Sequence, residues 1–150
     1  MEPLRIKCLE NKTGADGSIY GKFVIEPLEK GYGTTLGNAV RRVLLSSLDG
    51  SAVTAVRIEG ITHEFTTVPG VVEDVIDIML NLKGLVVKTF SNEPQYLHLD
   101  IDRSGAVTGR DIMCPADATI INPDWQLCTL AEGGRIRAEI TVERGRGYVP

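Results

Sequence analysis

The stretch from residue 31 to residue 50, GYGTTLGNAVRRVLLSSLDG, constrains this chain more than any other part of it. It predicts one bounded helix. Gly31 and Gly33 punctuate its start, Thr34 or Thr35 is placed to cap free N–H groups, and Gly50 suits its exit. At about 3.6 residues per turn, Leu36, Val40, Val43, Leu44 and Ser47 share one broad face, and Asn38, Arg41, Arg42 and Leu45 lie opposite. A surface helix ordinarily sets solvated Lys and Glu on its outer side. This one offers a leucine flanked by two guanidinium groups, with no acid. Arg is favoured over Lys where a planar, weakly hydrated cation is buried against a partner. Two readings follow: a core helix with two solvated arginines, or a helix held between two protein surfaces.

The remaining 130 residues narrow the class. A chain of 150 residues, 43% hydrophobic and 24% charged, can bury a core as one domain or two small ones. No apolar run approaches the roughly 18 residues of a membrane span. The opening MEPLRIKCLENK lacks an apolar signal core, so the chain is expected to stay where it is made. A net charge of −4 with 5% aromatic residues argues against direct nucleic-acid binding, which draws on a basic surface and stacking rings. Cys8, Cys114 and Cys128 are widely spaced and form no C-x-x-C pair, which suits reduced thiols filling apolar space.

Two strand-like runs precede the helix, residues 4–9 and 18–28, joined by the turn chemistry of NKTGADG. After Gly50 the texture changes. Residues 52–58 and 62–68 read as extended, and Pro69–Gly70 introduces a second helix over residues 71–83. Its apolar set is Val72, Val75, Ile76, Met79, Leu80 and Leu82; acids crowd its first half and Lys83 ends it, as the helix dipole favours. Strands are predicted at 85–90, 96–101, 119–121, 127–130 and 136–142, with turns at 91–94, 103–105, 122–124 and 132–134 and a terminal loop from Arg144. His98 falls on the polar side of its strand. The fold class is α+β, with a hairpin-plus-helix part over residues 1–50 and a β-rich part with one helix over residues 51–150. The first part is too small to bury its own core, so residues beyond 150 or another chain are expected to cover its helix.

Candidate chemistry is sparse. Gly31-x-Gly33-x-x-x-Gly37 between a strand and a helix, with Glu59 ending the next strand, allows an alternative reading as a small dinucleotide-binding enzyme. Against it, Pro27–Leu28–Glu29–Lys30 separates the strand from the first glycine, and that strand alternates as a half-exposed one does. His63, Glu64, Glu73, Asp74 and Asp77 have no ligand spacing on one face, and the helix dipole accounts for the last three. No nucleophile–base–orienter set can be assembled. Neither a metal, a cofactor nor a catalytic residue is expected.

Three segments, GYGTTLGNAVRRVLLSSL, ITHEFTTVPGVVEDVIDIMLNLKGLVV and VERGRGYVP, resemble the N-terminal domain of bacterial-type RNA polymerase α subunits, a type the plastid enzyme shares. The resemblance runs in order from about residue 20 to residue 150. It implies an assembly and dimerisation domain interrupted near Ser51 by a β-rich insert. It also implies a homodimer that scaffolds the β and β′ catalytic subunits of a nucleotidyltransferase, in the bacterial cytoplasm or the plastid stroma. On the matching positions, Tyr32, Leu36, Val40 and Val43 belong to the dimer interface, Arg42 and Leu45 meet β, and Lys83 lies on the side facing β′. In the family the chain continues past the matching GRGYVP to return to the assembly domain, and a separate C-terminal domain binds promoter DNA. Neither is in this sequence, so dimerisation of the segment alone is left open and DNA recognition is not expected of it.

Overall fold

The computed structural model describes residues 2–147; Met1 and the Tyr148–Pro150 end of the GRGYVP motif lie outside the described residues. Arg5–Thr13 (β1) and Ile19–Glu26 (β2) pair antiparallel, with Ile6 opposite Ile25, Cys8 opposite Phe23 and a bulge between Cys8 and Glu10. The turn is tighter than NKTGADG suggests. Asn11 to Thr13 continue β1, and the reversal is made by residues 14–18: the Asp16 carboxylate accepts from the Ser18 N–H at 3.1 Å and the Ser18 hydroxyl at 2.6 Å, and Gly17 takes φ 81°.

The first helix, α1, spans Tyr32–Ser46. Its start is set by Gly31 in the left-handed conformation (φ 88°), with no side-chain cap; Thr34 and Thr35 sit inside the first turn rather than capping it. It stops before Gly50. The Ser47 N–H closes on the Val43 carbonyl at 2.9 Å, the Ser46 hydroxyl donates to the Arg42 carbonyl at 2.6 Å, and Gly50 already belongs to the next strand.

The chain clusters into two compact units, one being Asp49–Gly145 and the other containing the hairpin and α1. In Asp49–Gly145 the strands Asp49–Ile58 (β3), Gln95–Ile101 (β5) and Ile136–Arg146 (β9) form one sheet in the order β3-β9-β5. β5 and β9 are antiparallel from Gln95 opposite Val142 to Ile101 opposite Ile136. The period-2 pattern turns Leu97, Leu99, Ile136, Ala138, Ile140 and Val142 inward and leaves His98, Asp100 and Arg137 in solvent. Two shorter antiparallel ladders complete the unit: Val87–Thr89 (β4) with Ala118–Ile120 (β7), and Gly105–Thr108 (β6) with Gln126–Leu130 (β8). The second helix, α2 (Val75–Lys83), buries Val75, Ile78 and Leu82 against this core. Two helices with antiparallel sheets make the architecture α+β.

Four sequence expectations change. The second helix begins at Val75, not at residue 71, because Asp74 caps it by accepting the Asp77 N–H at 2.8 Å. The residues before it are engaged elsewhere: Val71 bridges Leu130, and the Val72 N–H donates to Thr129 at 2.9 Å. The inward stripe is therefore Val75, Ile78 and Leu82, while Val72, Met79 and Leu80 are exposed. Residues 62–68 form no strand beyond a bridge from Thr67 to Asp74. β6 occupies a position read as a turn followed by coil. The final strand runs on through Arg146 rather than stopping before Arg144.

Candidate functional site

The positions singled out on α1 are held on a rigid element and left uncovered. No residue of α1 is buried. Leu36 is half-buried, and Tyr32 (59% exposed), Val40, Val43 (55%), Arg42 and Leu45 (60%) are all exposed. Leu44 is exposed as well, so the broad apolar face of the helix stands uncovered, with Leu45 exposed on the opposite, arginine-bearing side. A soluble helix normally hides one such stripe. Within these residues the helix is neither packed into a core nor held between two surfaces: it stands uncovered. Among the described residues neither Arg41 nor Arg42 has an ion-pair partner. Tyr32 also lines an open groove of about 470 Å³ with Leu4, Pro27 and Leu28, rimmed by Glu2 and Glu29.

Gly33 and Gly37 lie within α1, where glycine costs about 1 kcal/mol relative to alanine. Nothing comes within 4 Å of the space a Cβ would fill at either one. Among the described residues, no crowding accounts for them.

The dinucleotide alternative fails on topology. Such a site needs two parallel strands of one sheet joined through the helix. Here β2 pairs antiparallel with β1 in a two-stranded sheet, and β3 belongs to a different sheet. Gly33 and Gly37 are helical rather than in a phosphate-binding loop. Glu59, cast as the ribose acid, pairs with the Arg137 guanidinium at 3.4 Å.

Lys83 ends α2 on the other unit, exposed and, among the described residues, without an ion-pair partner. Its backbone is fixed by groups the sequence did not reveal. The Trp125 indole Nε1 donates to the Asn81 carbonyl at 2.7 Å, and the Asn122 side chain donates to the Gly84 carbonyl at 2.9 Å. Those partners lie some forty residues away along the chain, and no local pattern pairs them.

The acids near α2 are engaged structurally. Glu73 accepts from the Thr129 N–H at 2.6 Å and the Thr129 hydroxyl at 3.0 Å, and Asp74 is the N-cap. Burial pushes the Cys128 thiol up to about 12, with the Glu73 and Asp111 carboxylates adding to the shift, so it stays protonated and is no nucleophile at neutral pH. Partial desolvation raises Cys114 as well, although its side chain is exposed. No described helix is long and apolar enough to cross a membrane.

Comparison with known proteins identifies the lineage. The chain is 58% identical over 142 residues to a DNA-directed RNA polymerase subunit alpha of Symbiobacterium thermophilum, covering 95% of this chain and 45% of that protein. It is 57% identical over 131 residues to the subunit of that name from Carboxydothermus hydrogenoformans (87% and 42%). With that of Desulfitobacterium hafniense it shares 54% over 149 residues (99% and 46%). The chain thus spans less than half the length of these relatives. Residues 56–150, more than half of the chain, match the family model described as the RNA polymerase Rpb3/RpoA insert domain, and the chain belongs to that family.

Proposed function

We propose that this chain is a non-catalytic assembly element of a DNA-directed RNA polymerase, the α subunit of that nucleotidyltransferase. Residues 1–50 form the first part of a dimerisation and assembly domain, and residues 51–150 form a β-rich insert. On α1, Tyr32, Leu36, Val40 and Val43 meet a second copy of the chain. Arg42 and Leu45 seat the β subunit, and Lys83 faces β′. The segment acts without cofactor or metal and without touching DNA or a membrane, in the bacterial cytoplasm or the plastid stroma.

One observation carries this reading: α1 has no buried residue, although it carries a broad apolar face and an exposed Leu45 on the opposite side. Such a helix is not stable in water by itself and needs protein on more than one side. Full burial of a Val or Leu contributes about 1.5–3 kcal/mol, and a two-fold interface counts each position twice. These positions are already about half covered, so four per copy contribute roughly 6–12 kcal/mol across a two-fold interface, comparable with the roughly 4–15 kcal/mol that association opposes. Arg41 and Arg42, without acids on their own helix, suit a desolvated contact with an acidic partner surface.

The test is capture of the β subunit by the tagged α subunit. Arg42→Ala is expected to leave α self-association intact and to reduce recovered β. Undiminished β recovery overturns the assignment of Arg42.

A further inference from the structure

The geometry points to Trp125 and Asn122 as positioning residues for Lys83: a clamp on the last turn of α2 that holds the lysine's backbone rigid while leaving its side chain free. The inference rests on the reading, given above, that Lys83 faces β′. The residues that flank Lys83 on either side are each tied to the 122–127 segment. The Asn81 carbonyl accepts the Trp125 indole N–H at 2.7 Å, and the Asn81 side chain donates to the Leu127 carbonyl at 2.9 Å. The Gly84 carbonyl accepts from Asn122 Nδ2 at 2.9 Å, and Asn122 Oδ1 accepts the Val86 N–H at 2.8 Å. Three hydrogen bonds tie the end of the helix and its C-cap to the 122–127 segment, and a fourth fixes Val86 just beyond, so together they bracket a single exposed cation.

Two features mark the clamp as more than core packing. Trp125 is 43% exposed, so its ring is not spent on filling the interior. Gly84, the C-cap, has ordinary right-handed dihedrals (φ −82°, ψ −9°), so backbone conformation does not demand glycine there. Space does: a Cβ on Gly84 would collide with Trp125 Cζ2. The glycine lets the indole lie over the end of the helix. Helix ends ordinarily fray, and a lysine there loses entropy when it engages a partner. A pinned final turn removes the backbone share of that loss before binding, which is what preorganisation contributes to affinity.

The test uses the complete α subunit assembled with β and challenged with β′. Trp125→Phe keeps an aromatic ring but removes the indole N–H donor together with the five-membered ring that lies over Gly84. It is expected to weaken β′ recruitment about three- to tenfold, the loss of roughly one hydrogen bond. Self-association and β capture should be unchanged, and amide exchange at residues 81–84 should quicken. Combining it with Lys83→Ala should weaken recruitment no further than Lys83→Ala alone, because both act through one contact. Wild-type recruitment by Trp125→Phe, or additive losses in the double variant, overturns the clamp and leaves the Lys83 reading standing. If Lys83→Ala itself recruits β′ normally, the Lys83 reading fails and the clamp's positioning role fails with it.

Discussion

Glu73 and Thr129, 56 residues apart, are joined by two hydrogen bonds: the carboxylate accepts the Thr129 amide at 2.6 Å and its hydroxyl at 3.0 Å. This contact ties the approach to α2 onto β8, beside the Val72 N–H to Thr129 carbonyl bond. Both residues are half-buried, so removing the carboxylate leaves a poorly solvated donor. Glu73→Ala is expected to destabilise the Asp49–Gly145 unit by about 1.5–3 kcal/mol, the usual range for a charged hydrogen bond. Chemical denaturation followed by circular dichroism measures it; an unchanged midpoint would show that the tie contributes nothing.

The thiols divide by burial. Cys8 and Cys114 are exposed and Cys128 is buried with its ionisation pushed up to about 12. Of these three, two should react with a disulfide reagent in the folded protein at pH 8, and Cys128 only after unfolding. The unfolded thiol ionises near its ordinary value while the folded one holds its proton. Above about pH 9 the unfolded state therefore binds fewer protons, and the contribution of Cys128 makes stability fall as pH rises toward about 12. Cys128→Ala should flatten that alkaline decline. A decline of the same steepness in the variant would assign it to other groups.

On the solvent side of the three-stranded sheet, the Arg135 guanidinium hydrogen-bonds to Asp100 and holds its carboxyl below the usual carboxylate range, with Arg137 at 3.3 Å adding to the effect. A lowered folded value means that the stabilisation is present above the ordinary carboxylate range and is lost as pH falls through the folded value. These groups are exposed, so the effect is small and screened by salt. The melting temperature of Asp100→Asn should lie slightly below wild type at neutral pH, and the gap should close in acid and in about 1 M salt. A gap that persists under both conditions would contradict an electrostatic origin.

The sequence made α1 legible because glycine punctuation and a 3.6-residue period agreed over four turns, and because arginines without acids singled out its outer side. Its end was misplaced since Gly50, a plausible cap, is taken up by β3. The start of α2 was misread for a related reason. Val71 and Val72 continue the apolar run, yet long-range bonds to Leu130 and Thr129 claim them, and only the Asp74 cap marks the true start. β6 was missed because Gly105 and Ala106 carry little strand signal, and its pairing with β8 is non-local. The Trp125–Gly84 contact has no local signature at all, since 41 positions separate the two. Candidate residues on α1 and α2 could be named from sequence; what holds Lys83 in place could not.

The central claim is that the uncovered apolar stripe of α1 joins two copies of the subunit. Val43 is 55% exposed at the middle of that stripe, and aspartate there would place a charge in each half of a two-fold interface. Sedimentation equilibrium of the complete α subunit tests it most directly: Val43→Asp is expected to shift the mass from dimer to monomer at concentrations where the wild type is dimeric. A variant that sediments as an undiminished dimer would contradict the account.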